Sequence, residues 1–370
     1  MVNAKTQRPV LLAAGGTGGH LFPAFALAEE LTRRGRLVDL VTDERGDRYG
    51  TSFPGRAIHQ VPSATFASKS PIAMAGTVAT LGRGILRART LLGRLKPLVV
   101  VGFGGYPTFP PLVAARLAHI PTIIHEQNAI MGRANRMLVR RVTALAASWE
   151  ATKKVPGDAT GKVRVTGNPV RDTVIAAASR PYPALGQQAA FGLVVFGGSQ
   201  GARYFSDTVP PALLTLPEAQ RSRLCITQQC REEDLERVRA TYNQAGITAD
   251  LAPFFKDLPE RMAAAHLVIA RAGASSVAEL AVLGRPSILV PLPHSLDNDQ
   301  LINAQRLAEV GGAWCMEQKD LTPMRLGIEI AALIDSPERL GAAAAAAKSV
   351  GKPQAVRLLA DLVEQLAGAS

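Results

Sequence analysis

A short apolar run, a turn of glycines and then a helix-like stretch occur together four times in this chain, and this recurrence limits the fold more than any other feature. The turns are Gly15-Gly16-Thr17-Gly18-Gly19-His20, Gly102-Phe103-Gly104-Gly105-Tyr106, Gly197-Gly198-Ser199-Gln200-Gly201 and Arg271-Ala272-Gly273-Ala274-Ser275-Ser276. They come in matched pairs: LLAAGGT (11–17) aligns with LVVFGGS (193–199), and LVVVGFGG (98–105) with LVIARAGA (267–274). Each run is continuous rather than alternating, which is the pattern of parallel strands covered by helices on both faces. Two similar doubly wound α/β domains in tandem are predicted, one over 1–170 and one over 171–350. The boundary is placed in VTGNPVRDTV (165–174), where Gly167 and Pro169 mark a turn. A terminal helix, about 351–370, is expected to pack back on the first domain.

The composition agrees. With 370 residues, 47% hydrophobic and 19% charged, the chain is not intrinsically disordered and has apolar material for more than one core. Cys225, Cys230 and Cys315 are too few and too scattered for a disulfide framework or a zinc site, and fit a reducing compartment. The run PVLLAA, behind Lys5 and Arg8, stops at Gly15 and is too short for a signal peptide. The uncharged stretch 97–115 carries Pro97, Pro107, Pro110 and Pro111, which argues against a membrane span.

Charge separates the two halves. The whole chain is +12, but residues 1–170 hold 23 Lys/Arg against 9 Asp/Glu, net +14, leaving 171–370 at −2. No acid occurs between Asp47 and Glu126. An anionic partner is therefore expected for the first half.

Glycine turns between a strand and a helix leave backbone N–H groups free where the helix dipole adds about half a positive charge, so phosphate binds there. A Walker A loop is excluded because no Gly-Lys-Ser/Thr follows any turn. The dinucleotide fingerprint fails at Leu21, where a glycine is required, although Asp43 is placed for a ribose. Asp297-Asn298-Asp299 has a metal-binding look, but acids also suit a helix start, and no His or Cys cluster stands beside it. No metal and no obligatory cofactor are expected.

Across the whole length, in order, the chain carries GGTGGH, GFGGY, HEQN (125–128), GNPVR (167–171), GGSQGA (197–202), RAGA with Glu279, and DQLINA (299–304). This set resembles the MurG family of glycosyltransferase family 28, bacterial enzymes that convert lipid I to lipid II in peptidoglycan synthesis. The resemblance implies a GT-B fold, two Rossmann-like doubly wound parallel-sheet domains facing a central cleft. It implies inverting transfer of N-acetylglucosamine from UDP-N-acetylglucosamine (UDP-GlcNAc) to the C4 hydroxyl of lipid I, on the cytoplasmic face of the inner membrane.

Carried over residue by residue, the resemblance places the donor against Thr17, Gly18, Gly19, Asn128 and Arg171. From the second half it adds Ser199, the backbone of Phe255, the segment Ala274, Ser275, Ser276, Val277, Ala278 and Glu279, and Gln300. Glu279 is expected at the ribose, since a carboxylate accepts from both vicinal hydroxyls. Ser199 and the amides after Gly273 are expected to hold the diphosphate. Inversion needs a base for the acceptor hydroxyl; His20 is the leading candidate, with His125 and Glu126 as alternatives. Gly104, Gly105 and Tyr106 are expected at the acceptor diphosphate. Three places depart from the family pattern: Thr227-Gln228-Gln229-Cys230, His266 and Asp299.

Residues 71–97 combine Ile72, Met74, Val78, Leu81, Ile85, Leu86, Leu91, Leu92 and Leu95 with Arg83, Arg87, Arg89, Arg94 and Lys96. Apolar anchors beside cations suit docking on an anionic membrane; a core helix with a basic outer side is the alternative. Two other readings stay open: the same fold acting on a different lipid or soluble acceptor, and a non-catalytic basic protein. Nucleic acid is not expected as a partner, because aromatics are only 5% and do not interleave the cations.

Overall fold

Each apolar run becomes a strand with both faces covered, because its alternate residues feed two separate cores. Val10 and Leu12 pack on one face of the first sheet, Leu11 and Ala13 on the other. The computed structural model describes residues 8–15, 18–43, 53–65, 70–184, 186, 189–197 and 203–368. It divides into two compact units, Met1–Arg171 with Pro353–Ser370, and Asp172–Lys352.

The first unit contains β1 (Val10–Ala13), α1 (Gly18–Arg33), β2 (Val38–Thr42), β3 (Ala57–Gln60), α2 (Pro71–Leu95), β4 (Val99–Gly102), α3 (Phe109–Leu117), β5 (Thr122–Glu126), α4 (Arg133–Leu138), β6 (Ala144–Ala147) and β7 (Val163–Val165). Its seven strands run in the order β3-β2-β1-β4-β5-β6-β7, all pairs parallel. The second unit contains α5 (Asp172–Ala177), β8 (Phe191–Phe196), α6 (Arg203–Leu214), α7 (Glu218–Arg221), β9 (Leu224–Gln229), α8 (Glu232–Gln244), β10 (Thr248–Ala252), α9 (Leu258–Ala264), β11 (Leu267–Ala270), α10 (Ala274–Leu283), β12 (Ser287–Leu289), α11 (Asp299–Glu309), β13 (Ala313–Cys315), α12 (Pro323–Ile334) and α13 (Pro337–Val350). Its sheet, β10-β9-β8-β11-β12-β13, is also wholly parallel.

The final helix, α14 (Ala355–Gly368), belongs to the first unit. Leu359, Ala360, Leu362 and Val363 join the core beneath α1, and Arg34 bridges Glu30, Asp361 and Glu364 at 2.6–2.9 Å. Among the described residues no helix is long and apolar enough to cross a membrane.

Strand order reverses between β1 and β4 in one sheet and between β8 and β11 in the other. At such a reversal the helices leave in opposite directions, opening a crevice at the strands' carboxyl ends. The four glycine turns follow these four strands.

Candidate functional site

In the first unit, the turns after β1 and β4 meet through His20. Gly104 and Gly105 both have left-handed backbone, φ 89° and 74°, which glycine adopts without strain. A Cβ on Gly104 would stand 3.3 Å from Nε2 of His20, and one on Gly105 3.6 Å from its Cε1. The missing side chains thus let the imidazole lie against this turn. The half-buried ring hydrogen-bonds the backbone of Gly15, while burial lowers its pKa below the ordinary imidazole value. A neutral imidazole is the protonation state in which a histidine can act as a base. Tyr106 begins the short turn that follows Gly105. Arg171 lies over the Phe22 ring, 5.8 Å from its centre, on the first turns of α1.

His125 and Glu126 are corrected as alternative bases. His125 is 0% exposed: Nε2 donates to the Gly167 carbonyl at 3.0 Å and Nδ1 accepts from Gln127 Nε2 at 3.0 Å, so neither nitrogen is left for a substrate. Burial holds its pKa at about 4. Glu126 is equally enclosed. Its Oε1 accepts from the Asn128 backbone N–H at 3.0 Å, and its Oε2 from the Gly132 N–H at 2.9 Å and Asn135 Nδ2 at 2.8 Å. Desolvation raises the Glu126 pKa against the effect of these donors. Both residues are struts that shape the loop after β5, and Asn128 is set by the same carboxylate.

Two residues of this network are not singled out by the sequence reading. Gln127 Nε2 donates to the Phe103 carbonyl at 2.8 Å, tying the β5 loop to the glycine turn. Asn135, 2% exposed, donates to Glu126 and also to the His125 carbonyl at 3.4 Å. Gln127 stands inside HEQN; Asn135 has no sequence signal, being nine positions from Glu126 on a different element.

In the second unit the corresponding turn enters a helix directly. Gly273, φ −62°, is the N-cap of α10, and Ala274, Ser275 and Ser276 form its first turn. Their N–H groups have no intrahelical acceptor. Ser275 Oγ is enclosed with no partner. Val277 is buried, Ala278 half-buried, and Glu279 only 7% exposed, so the carboxylate is not a solvated helix acid. Gln300, in the first turn of α11, holds the Leu292 N–H through Oε1 at 3.0 Å, leaving its amide N–H groups to donate. Phe255 is buried beneath the Arg261 guanidinium, 4.5 Å from its ring centre. Asp297-Asn298-Asp299 leads into α11, Asn298 being its N-cap and Asp299 its first residue, with Asp297 and Asn298 both left-handed.

The turn before α10 is braced by Arg271 and Asn303, which lie inside the RAGA and DQLINA motifs but have no role in the expected donor set. Arg271, nearly buried, donates to the Val290 and Pro291 carbonyls at 3.2 Å and to Gln318 Oε1 at 2.7 Å, with Tyr204 and Phe205 rings beneath it. Asn303 Nδ2 donates to the Ala272 carbonyl at 3.2 Å. Arg271 thereby adds a fixed positive charge behind the α10 amides. Thr17 and Ser199 lie outside the described residues. Gly18 is buried and Gly19 exposed at the start of α1. Among the described residues no group of three His, Cys, Asp or Glu stands together as a metal site.

The α2 helix narrows the expected docking surface. Leu81, Leu91 and Leu92 are buried, and Ile85 and Leu95 pack on the same core. Only Ile72 (86% exposed), Met74, Val78 and Leu86 (68%) face outward, with Arg83, Arg87, Arg89, Arg94 and Lys96 all exposed. Gly84 is the point where α2 touches the Pro62 carbonyl and Pro110.

Comparison with known proteins yields consistent matches. Residues 10–147 match the model of the glycosyltransferase family 28 N-terminal domain, and 192–359 that of its C-terminal domain. A Mesorhizobium japonicum protein named UDP-N-acetylglucosamine--N-acetylmuramyl-(pentapeptide) pyrophosphoryl-undecaprenol N-acetylglucosamine transferase is 54% identical, over 97% of this chain and 95% of its own. A Brucella abortus protein of the same name is 53% identical, over 99% and 96%. The crystal structure of MurG from Acinetobacter baumannii superposes with a TM-score of 0.80 at 29% identity, covering 97% of this chain and 99% of that one. The two parallel-sheet units are those of the GT-B fold.

Proposed function

Since this chain belongs to glycosyltransferase family 28, we propose that it carries out the transfer its relatives are named for, moving N-acetylglucosamine from UDP-GlcNAc onto undecaprenyl-pyrophosphoryl-N-acetylmuramoyl-pentapeptide. The product is lipid II. The observation that carries the catalytic assignment is the contact of His20 with the two left-handed glycines at the β1/β4 reversal.

In this reading His20 takes the proton of the acceptor C4 hydroxyl as that oxygen attacks the anomeric carbon. The bond from that carbon to the β-phosphate oxygen breaks, inverting the centre and releasing UDP. The ring is suited to this because it is held neutral near neutral pH. Gly104, Gly105 and Tyr106 receive the acceptor diphosphate beside it, and Asn128 and Arg171 reach the donor from the same unit. The α10 amides with Ser275, backed by the Arg271 charge, take the UDP diphosphate, whose negative charge grows as the sugar leaves. Glu279 takes the ribose hydroxyls and Gln300 donates to the donor. No metal is required for this arrangement, so turnover is expected to survive chelation.

The acceptor is lipid-linked, and the exposed apolar start of α2 with its flanking cations is the surface we assign to an anionic membrane, the enzyme being peripheral on the cytoplasmic side. Each cation near such a surface contributes about 1 kcal/mol. UDP release measured with and without a short-chain lipid I analogue tests the reading. Turnover only with that acceptor supports it; equal turnover on an unrelated lipid or soluble aglycone overturns the acceptor assignment, and loss with chelator overturns the metal-free diphosphate site.

A further inference from the structure

A second cationic site lies at the other edge of the first sheet, away from His20. An open-mouthed basin of about 420 Å³ is lined by Arg116, His119, Arg140, Arg141, Thr143 and Lys162, over a floor that includes Ile120, Pro121 and Val142. These residues surround the amino-terminal ends of β5, β6 and β7, whereas His20 and Gly104 follow the carboxyl ends of β1 and β4. Strands of four to five residues separate the two edges by roughly 15 Å.

Four features make this more than a charged patch. Its rim is rigid, because Thr122 and Thr143 exchange bonds between side chain and backbone, Thr122 N–H to Thr143 Oγ1 at 3.1 Å and Thr143 N–H to Thr122 Oγ1 at 3.3 Å. Lys162 is fixed, its Nζ donating to the Arg140 and Val142 carbonyls at 2.6 and 2.9 Å. Arg140 is held by Asp158 through Nε at 2.8 Å. Arg116 and Arg141 have no ion-pair partner among the described residues, and both are exposed. Four lining cations stand against one bonded acid, and the volume is in the range of small-ligand sites.

We propose that this basin binds a phosphate ester, with Arg116 and Arg141 as its free cations and Arg140 and Lys162 as its fixed ones. Arginine at a rigid rim suits phosphate oxygens, which a guanidinium engages in bidentate fashion. The ligand is either a free phosphate ester or the headgroup phosphate of an anionic lipid. None of these residues takes part in the transfer chemistry, so the proposal stands apart from the transferase reading.

The test uses the full chain saturated with UDP, so that the donor site does not take up the probe. Glycerol 3-phosphate and dihexanoyl phosphatidylglycerol below its micelle concentration are titrated separately by calorimetry. Arg116→Ser/Arg141→Ser is expected to weaken binding about thirtyfold, with thermal midpoint and transfer to a soluble acceptor analogue unchanged. Arg116→Lys, which keeps the charge, retains most of the binding. Arg87→Ser/Arg89→Ser removes the same charge from α2 and leaves binding within about twofold, which separates this site from the docking helix. Weakening of both probes identifies a free phosphate ester as sufficient; weakening of the lipid probe alone identifies the headgroup. Unchanged binding in Arg116→Ser/Arg141→Ser, or equal loss in the α2 variant, overturns the proposal.

Discussion

β4 and β11 hold the same place in their sheets, each beside the strand where the order reverses, yet their turns do different things. After β4 the chain passes through two left-handed glycines and a short turn before α3 begins. The helix N-terminus is drawn back, and the glycines become a platform for a side chain, His20. After β11 an ordinary Gly273 leads straight into α10, so the helix amides stand at the strand end. In the reaction proposed above, one turn presents a base and the other an anion hole. The shared topology supplies the location, and the turn's backbone conformation decides which chemistry is placed there.

Predictions follow from that contrast. His20→Ala should lower kcat by about 10²- to 10⁴-fold, the usual contribution of a positioned base, with donor KM little changed. In the intact enzyme the acid limb of kcat/KM should fall below pH 6.5, because burial lowers the His20 pKa and activity is lost only as the ring protonates. A limb unaffected by His20→Gln removes the base role. Glu279→Ala should raise donor KM by about 10- to 100-fold, from the loss of charge-assisted bonds to the ribose, with little change in thermal midpoint; unchanged donor kinetics would take Glu279 out of the ribose site.

The smallest effect bears most directly on the comparison. Gly104→Ala should cost about 1–2 kcal/mol in urea melts, since its φ of 89° is strained for alanine, and should lower kcat by crowding the imidazole. Gly273→Ala should do neither, because φ is −62° and a Cβ there has only Ser276 Oγ at 4.0 Å. Equal sensitivity at the two positions would show that the two turns are not functionally distinct.

Much of this was legible in the residues. Continuous apolar runs with glycine turns give parallel strands and their helices, because a run with no polar face can be satisfied only by burial on both sides. The roles of His125 and Glu126 were not legible. They are adjacent in a motif of ionisable residues, and only the surrounding donors, Gln127, Asn128, Gly132 and Asn135, show that their polar atoms are already engaged. Likewise α2 reads as one amphipathic helix, but its apolar residues divide between the core (Leu81, Leu91, Leu92) and solvent (Ile72, Met74, Val78, Leu86) according to what packs against the helix.

The residue order alone determined two doubly wound units, four strands each followed by a glycine turn and a basic first half, since these depend on local pattern and on charge count. Tertiary structure decided which histidine lies against the glycine turn, which carboxylate is a strut and where a second cluster of cations forms a basin. Those outcomes depend on hydrogen-bond partners and burial contributed by segments distant in the chain, which no local pattern records.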